Sequence, residues 1–423
     1  LDTRWQEIYR YYWSEPQRQA QIRPLVEAAF YRDGHSMLSK EAAKALYETV
    51  LNGSTSQLEK YASCAYSYFL QYGLHLNQRA EHAVEFFDIG NIVHEALELY
   101  TKQLLEEQIR WQDLSEEQQH VRANQCLNAV VEEYKNGLLY DTHRDTYMIT
   151  RLRRILQRTV WAITSQMQAG DFATVQSELA FKQIQGPMNL LGRVDRVDLL
   201  EQDTAEYVTI IDYKTGRKDL SLSDLYFGLQ MQLIIYLDAA VERREYSQKE
   251  RKIVIPAGVF YYNIEDPMLE GAVPEEQREQ AILKELRLRG LVNEDDPVLP
   301  SVDHRFKTES GELPLSAVSL VAPFETDKNG ALKKKSSAIT TKDFRQLMQY
   351  TKKKIQTMSQ QILDGHIEMN PYRRMDASGM TGCSYCPYHS VCQFDVRFPG
   401  HAYRSIPKLS DDDVFRKINE EQE

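Results

Sequence analysis

No apolar run in the 423 residues approaches the roughly 20 needed for a membrane-crossing helix. Cysteine is scarce. Five in the whole chain, unevenly placed, do not make a disulfide scaffold. Basic charge is in deficit, with a net of −11, so the chain is no general coat for nucleic acid. Any nucleic-acid site must be a local groove, and the acidic remainder keeps the protein in solution. There is no G-x-x-x-x-G-K-S/T phosphate loop, so these residues are not expected to hydrolyse ATP. Internal repeats, low-complexity stretches and a signal peptide are also missing. The chain starts at Leu1 rather than Met and is expected to be part of a longer polypeptide. What is present, 42% hydrophobic and 27% charged residues, suits a soluble globular protein of two or three domains. A cytoplasmic location is expected.

The stretch from Gly192 to Tyr236 organises the chain. Its first β-like run, Leu190 to Leu200, carries Asp195 between Val194 and Val197. The second, Tyr207 to Lys214, contains VTIID and stops at Thr215-Gly216. Antiparallel pairing would bring Asp195 near Asp212. Alternation puts Asp212 and Lys214 on one face. Two carboxylates and an ammonium around one point suit a hard divalent cation such as Mg²⁺. Lys214 would orient a water or steady developing negative charge. The alternative is a solvated hairpin with surface charges. A helix is expected over Ser223 to Arg243, with Gln232 and Tyr236 on one face. They would hold a substrate backbone, unless Tyr236 is simply core. Gln230 is the alternative to Gln232.

Three cysteines cluster as C-x2-C-x5-C at Cys383, Cys386 and Cys392. Gly382 and Pro387 supply tight turns, so the three thiols can wrap one metal centre. A fourth ligand is missing locally. Four thiolates suit a 4Fe–4S cluster or a zinc ion. Cys64 lies in an apolar helical stripe far upstream, and Cys126 fits no pattern.

Elsewhere Leu1 to Asn52 is expected to be helical. His94 lies one turn into a helix over Phe87 to Gln108. Two further helices span Ser115 to Gly137 and His143 to Ala169. The second carries Arg151, Arg153, Arg154 and Arg158, which suit either phosphate contacts or acidic neighbours. Thr174 to Ile184, with Glu178, reads as a strand before a Gly186-Pro187 turn. Lys252 to Asn263 is strand-like, and Pro274 to Gly290 is expected to be a helix. Glu294 to Asn329 has the polarity of a mobile insertion, with a strand over LSAVSLVAPF. Leu332 to Lys354 holds seven lysines against an acidic background, suited to phosphates or to a solvated face. The acidic tail from Ser410 is expected to fray.

Taken in order, these motifs resemble the RecB-like branch of the PD-(D/E)XK nuclease superfamily. The matching residues are Gly90-x-x-x-His94-Glu95-x-Leu97-Glu98, the GRVDRVD segment at Asp195, Asp212-Tyr213-Lys214, and Gln232-x-x-x-Tyr236. Cys64 with the distant triplet is similar to the iron–sulfur-stapled members, AddB-type subunits of bacterial helicase–nucleases above all. The resemblance runs from about Ser54 to Tyr403. It implies an α/β fold, with a mixed central sheet flanked by helices. It implies His94, Asp195, Asp212 and the Tyr213 carbonyl as ligands of Mg²⁺ or Mn²⁺, and Lys214 as the water-positioning residue. Glu178 matches a strand acid with a metal, supporting or salt-bridge role, and it ranks below the other acids. Cys64, Cys383, Cys386 and Cys392 would hold a 4Fe–4S cluster. The implied organisation is a helical segment over 1–52, a nuclease domain over 53–409 and a flexible tail over 410–423. The implied activity is exonucleolytic hydrolysis of DNA, on the 5′-ended strand, during double-strand break processing beside an AddA-like partner. A free-standing RecB-like nuclease of the CRISPR-adaptation type and a non-catalytic DNA-guiding module are the alternatives.

Overall fold

A computed structural model describes residues 3–29, 37–77, 86–134, 143–247, 252–269, 271, 273–398 and 400–421. Its frame is a mixed sheet, seven-stranded among the described residues. The strands are β1 (Leu51–Gly53), β2 (Ala173–Gln185), β3 (Met188–Glu201), β4 (Ala205–Thr215), β5 (Ile253–Ile264), β6 (Arg289–Asn293) and β7 (Ala338–Ile339). Gly186, at φ +60°, turns β2 into β3, the left-handed conformation that glycine adopts without a Cβ clash. β3 pairs antiparallel with β2 and β4, whereas β5 runs parallel to β4. That parallel step needs a crossover, which the Gln232–Ser247 helix supplies. β4 is buried from Ala205 to Tyr213, so its run of Val, Thr and Ile is covered on both faces.

The alternation of β4 divides the core. Tyr207, Ile211 and Tyr213 pack with helices Phe86–Glu106, Glu116–Glu133 and His143–Gln168. Val208 and Ile210 pack with helices Thr55–Ser63, Gln232–Ser247 and Thr341–Leu363. Asp212 and Lys214 share this second face by the same alternation. No helix among the described residues is long and apolar enough to cross a membrane.

Several expectations need correction. The helix foreseen over Ser223 to Arg243 is two helices, Leu222–Tyr226 and Gln232–Ser247. Gly228, at φ +79°, breaks it, and a Glu59 carboxylate oxygen takes the Met231 and Gln232 N–H groups. The strand-like Lys252 to Asn263 stretch, by contrast, is one long strand as expected, with a bulge at Pro256-Ala257, because Val208 pairs with Pro256 and Thr209 with Gly258. The foreseen helix from Pro274 ends at Glu285, and β6 follows. The segment expected to be a mobile insertion is packed rather than loose. Asp303 accepts from Ser319 Oγ and Leu320 N, and Phe324 is buried. The LSAVSLVAPF stretch is turns with one isolated bridge, Val318 to Glu325.

The two outer boundaries also move. A division at residue 52 falls inside β1, which pairs with β3, and Ala43 and Tyr47 join the core beside Leu58. The acidic tail is a helix, Asp411–Glu420. Ser410 caps it, three aspartates sit at its positive end, and Val414 and Ile418 are 0% exposed. Composition marked the tail as solvated, but the i,i+4 apolar pair decides its fate. Ile418→Ala should therefore lower unfolding free energy by about 2–5 kcal/mol in a denaturant titration. A frayed tail would show no change.

Candidate functional site

Strand register assembles the acids. β3 pairs with β4 through Arg196 and Ile211, so Asp195 faces Asp212. β2 pairs with β3 at Ser177–Arg196 and Leu179–Val194, so Glu178 flanks Asp195 on the other side. Glu178 has φ +51°, a strained conformation for a residue with a side chain. His94 comes from the Phe86–Glu106 helix. Gly90 permits that approach, since a Cβ there would lie 2.5 Å from Thr215 Oγ1 at the end of β4. His94 Nε2 lies 3.0 Å from Asp195 Oδ2, and the Tyr213 N–H donates to the same oxygen at 2.7 Å.

His94, Glu178 and Asp195 present ligand atoms all within 4.8 Å of one another. Asp212 stands outside this tight group. One of its oxygens accepts from Gln232 Nε2 at 2.9 Å, and the other pairs with Lys214 Nζ. Gln232 Nε2 also donates to Tyr236 OH at 3.0 Å, joining the helix pair to the acids. Gln230 instead accepts from Ser221 N and braces the preceding loop. Glu178, ranked lowest among the acids by sequence, is thus closer to the metal-sized group than Asp212.

The electrostatics fit a missing positive charge. Burial, then the charges of Asp195 and Glu98, push Glu178 up to about 7. Burial and the facing Asp195 push Asp212 up as well. Burial alone would lower His94, but the hydrogen bond and charge of Asp195 outweigh it, and the net shift is upward. Arg193, which pairs with Glu178 at 3.2 Å, and Lys214 beside Asp212 offset part of this crowding, and a divalent cation would offset more of it. One imidazole nitrogen with carboxylate oxygens is a donor set that Mn²⁺ or Mg²⁺ accepts.

Three residues of this site escaped the sequence reading. Glu59, on the Thr55–Ser63 helix, fixes the start of the Gln232–Ser247 helix. Tyr261 sits beside Asp212 in the β4–β5 register. Lys218 Nζ lies 4.8 Å from the Tyr261 ring centroid and Lys214 Nζ lies 5.8 Å from it. Burial lowers Lys218, with Glu59 opposing that shift. The turn after Lys214 was read only as a strand stop.

Cysteines from the two ends of the chain converge. Cys64 is extended, at φ −166° and ψ 118°, and separates helix Thr55–Ser63 from helix Ala65–Tyr68. The continuous helix expected there is broken at this residue. Cys64, Cys383, Cys386 and Cys392 line one pocket with Leu70, Tyr388 and Phe394. Gly382 allows the close approach, because a Cβ would lie 2.9 Å from Ser63 O. All described cysteines are free thiols. Burial raises Cys64, Cys383 and Cys392, the last to about 11. Among the described residues only His94, Glu178 and Asp195 form a metal-ligand group within 4.8 Å, so no three of these sulfurs are that close. Four converging thiols are a donor set that either a 4Fe–4S cluster or a zinc ion accepts. Cys126 is buried, 3.5 Å from Gln103 Oε1, and belongs to no cluster. Arg374 pairs with Asp224 at 2.8 Å, tying the segment ahead of the cysteine triplet to the Leu222–Tyr226 helix.

Most of the foreseen phosphate-binding cations have protein partners. Lys333 and Lys335 both pair with Glu325, and Lys352 pairs with Asp238. Lys353 donates to Glu421 O, and Lys354 to Tyr350 OH. Arg154 and Arg158 share Asp266, and Arg153 donates to Asn128.

Comparison with known proteins places this geometry. Two relatives are named as B-type subunits of the ATP-dependent helicase/deoxyribonuclease. The one from Lachnoclostridium phytofermentans is 40% identical over 422 residues, covering 99% of this chain and 36% of that protein. The one from Alkaliphilus oremlandii is 35% identical over 439 aligned residues, covering 100% of this chain and 37% of that protein. The chain thus spans little more than a third of the length of the curated relatives it matches. The sequence pattern of the PD-(D/E)XK nuclease superfamily matches residues 52–393, a span holding His94, all three acids, Lys214 and the four converging cysteines. With that match over most of its length, the chain belongs to the PD-(D/E)XK nuclease superfamily.

Proposed function

We propose that this chain is the nuclease portion of an AddB-type helicase/deoxyribonuclease subunit, hydrolysing DNA phosphodiesters during the processing of double-strand break ends. The observation that carries the reading is the meeting of His94, Glu178 and Asp195 beside the Asp212–Lys214 pair. His94, Asp195 and Glu178 would hold a divalent cation, Mg²⁺ or Mn²⁺, with Asp212 and the Tyr213 carbonyl as further oxygen donors. When bound, the cation supplies Lewis-acid stabilisation of phosphoryl oxygens and lowers the pKa of a water.

The protein's own groups do the rest. The Asp212 carboxylate and Gln232 fix the lysine and the acids relative to one another. Lys214 donates toward the attacking water and the non-bridging phosphate oxygen, where negative charge grows. The water oxygen forms the new bond to phosphorus as the bond to the leaving sugar oxygen breaks. The water proton leaves to solvent, and the leaving oxygen takes one up. Tyr236, hydrogen-bonded to Gln232, lines the strand path.

Cys64, Cys383, Cys386 and Cys392 would hold a 4Fe–4S cluster, which clasps the two ends of the domain. Exonucleolytic cutting, action on the 5′-ended strand, an AddA-like motor partner and a cytoplasmic setting belong to the same reading. The name that the relatives carry, a B-type subunit of an ATP-dependent helicase/deoxyribonuclease, supports the partner and the DNA substrate; the other three come from the family resemblance. End-labelled single-stranded DNA incubated with the purified chain tests it. Cleavage in Mg²⁺ that stops with EDTA is expected. Binding without cleavage in Mg²⁺ and in Mn²⁺ would leave a DNA-guiding module instead.

A further inference from the structure

Lys218 lies four residues past Lys214 and two past the Thr215-Gly216 turn, outside every motif of the nuclease reading. Gly216, at φ +112°, folds the chain back at that turn. Asn263 on β5 then clamps the Lys218 backbone from both sides. Its Oδ1 accepts the Lys218 N–H at 3.1 Å, and its Nδ2 donates to the Lys218 carbonyl at 3.3 Å. β5 is the strand that carries Tyr261 opposite Asp212. The clamp therefore sets the lysine on the floor of the site by main-chain contacts. Its ammonium lies over the same Tyr261 ring that Lys214 approaches.

The charge around Lys218 is incomplete. Glu59, Asp212 and Asp224 attract it, and Lys214 repels it. Yet no carboxylate among the described residues lies within the 4.0 Å that makes an ion pair. Lys214 has Asp212, and Lys333, Lys335 and Lys352 have acids of their own. Glu59 is engaged, since one of its oxygens holds the Met231 and Gln232 N–H groups. A half-buried ammonium, fixed by its backbone beside a phosphodiester-cutting centre and lacking a contact acid, is matched to an incoming anion.

We propose that Lys218 binds a non-bridging oxygen of the phosphate next to the one being cut. The proposal rests on the nuclease reading for the identity of the anion. Lys214 serves the reacting phosphate, and Lys218 sets the position of the strand on it. Its contact is present before and during the reaction, so its loss falls on KM rather than kcat.

The test uses a single-stranded oligonucleotide in which one neutral methylphosphonate linkage is walked past the cut. For the unmodified protein, one position beside the cut should raise KM about tenfold, the scale of one charge-assisted contact. In Lys218→Gln, KM on the all-phosphate strand should rise by about the same factor, and that position should carry no further penalty. Lys218→Arg should recover most of the loss. In EDTA, the log–log salt slope of binding should fall by about 0.7 in Lys218→Gln, one phosphate fewer on a single strand. The same methylphosphonate penalty in Lys218→Gln as in the unmodified protein overturns the proposal, as does an unchanged salt slope. If the protein cuts no DNA at all, the nuclease reading fails, and the salt slope alone still decides the lysine's contact.

Discussion

Asp212→Ala should lose at least about 10³-fold in DNA cleavage while the protein keeps its fold and still binds DNA. The size follows from what leaves with the carboxylate. Asp212 is buried, pairs with Lys214 and accepts from Gln232. Its removal takes an oxygen donor from beside the cation and unfixes Lys214. One preorganised contact to transition-state charge is commonly worth about 10²–10³ in rate, and this change affects two. Stability should not fall in parallel, because burial and the facing Asp195 already disfavour the Asp212 charge. Lys214→Ala should be nearly as severe, and the double variant should lose little more than either alone, as groups acting as a unit do. Turnover of Asp212→Ala within tenfold of the parent would remove Asp212 and Lys214 from the chemistry.

With the proposed cluster in place, Cys64→Ala should cost the protein its iron and much of its thermal stability. Cys64 precedes His94 and the strand acids, and Cys383, Cys386 and Cys392 follow them. A metal centre in the pocket they share would close a loop around the nuclease core. The entropy of closing so long a loop grows only with the logarithm of its length. Metal–thiolate bonding, on the order of 10 kcal/mol at structural sites, readily offsets it. The clasp also bears on the active site, because the same helical region carries Glu59 and Arg374 reaches Asp224. Freshly purified protein should be brown, with about four irons per chain. Cys126→Ala, at a buried thiol outside the pocket, should keep that iron. One zinc in a colourless protein contradicts the cluster but keeps the clasp. Full iron content in Cys64→Ala contradicts the clasp itself.

How much of this was legible depends on the range over which each residue acts. Asp195, Asp212 and Lys214 announce themselves, because strand period and a β-branched run fix their faces within a few residues. Glu178 ranked too low, since its place beside His94 depends on the β2–β3 register and on a local positive φ that no composition reveals. Gln232, singled out by its spacing to Tyr236, does contact Asp212, but its position as the first residue of a helix was not legible. Glu59, from a distant segment, makes that helix start. Lys218 was hidden for the same reason, its clamp being Asn263 on the next strand. Composition misled at the acidic tail and over Glu294 to Asn329. There, single buried residues such as Ile418 and Asp303 outweigh a polar average. The cysteines were legible only as a set, because Cys64 alone looks like any small core residue.

Locating the cation tests the centre of this reading most directly. Crystals of the chain soaked in Mn²⁺ should show an anomalous peak bound by His94 Nε2 and the Asp195 carboxylate, with Glu178 or Asp212 completing the set. Donor distances of about 2.0–2.2 Å are expected there. The peak should vanish in Asp195→Asn. Mn²⁺ bound elsewhere, with the space between His94, Glu178 and Asp195 filled by water alone, would contradict a divalent-metal nuclease at this site.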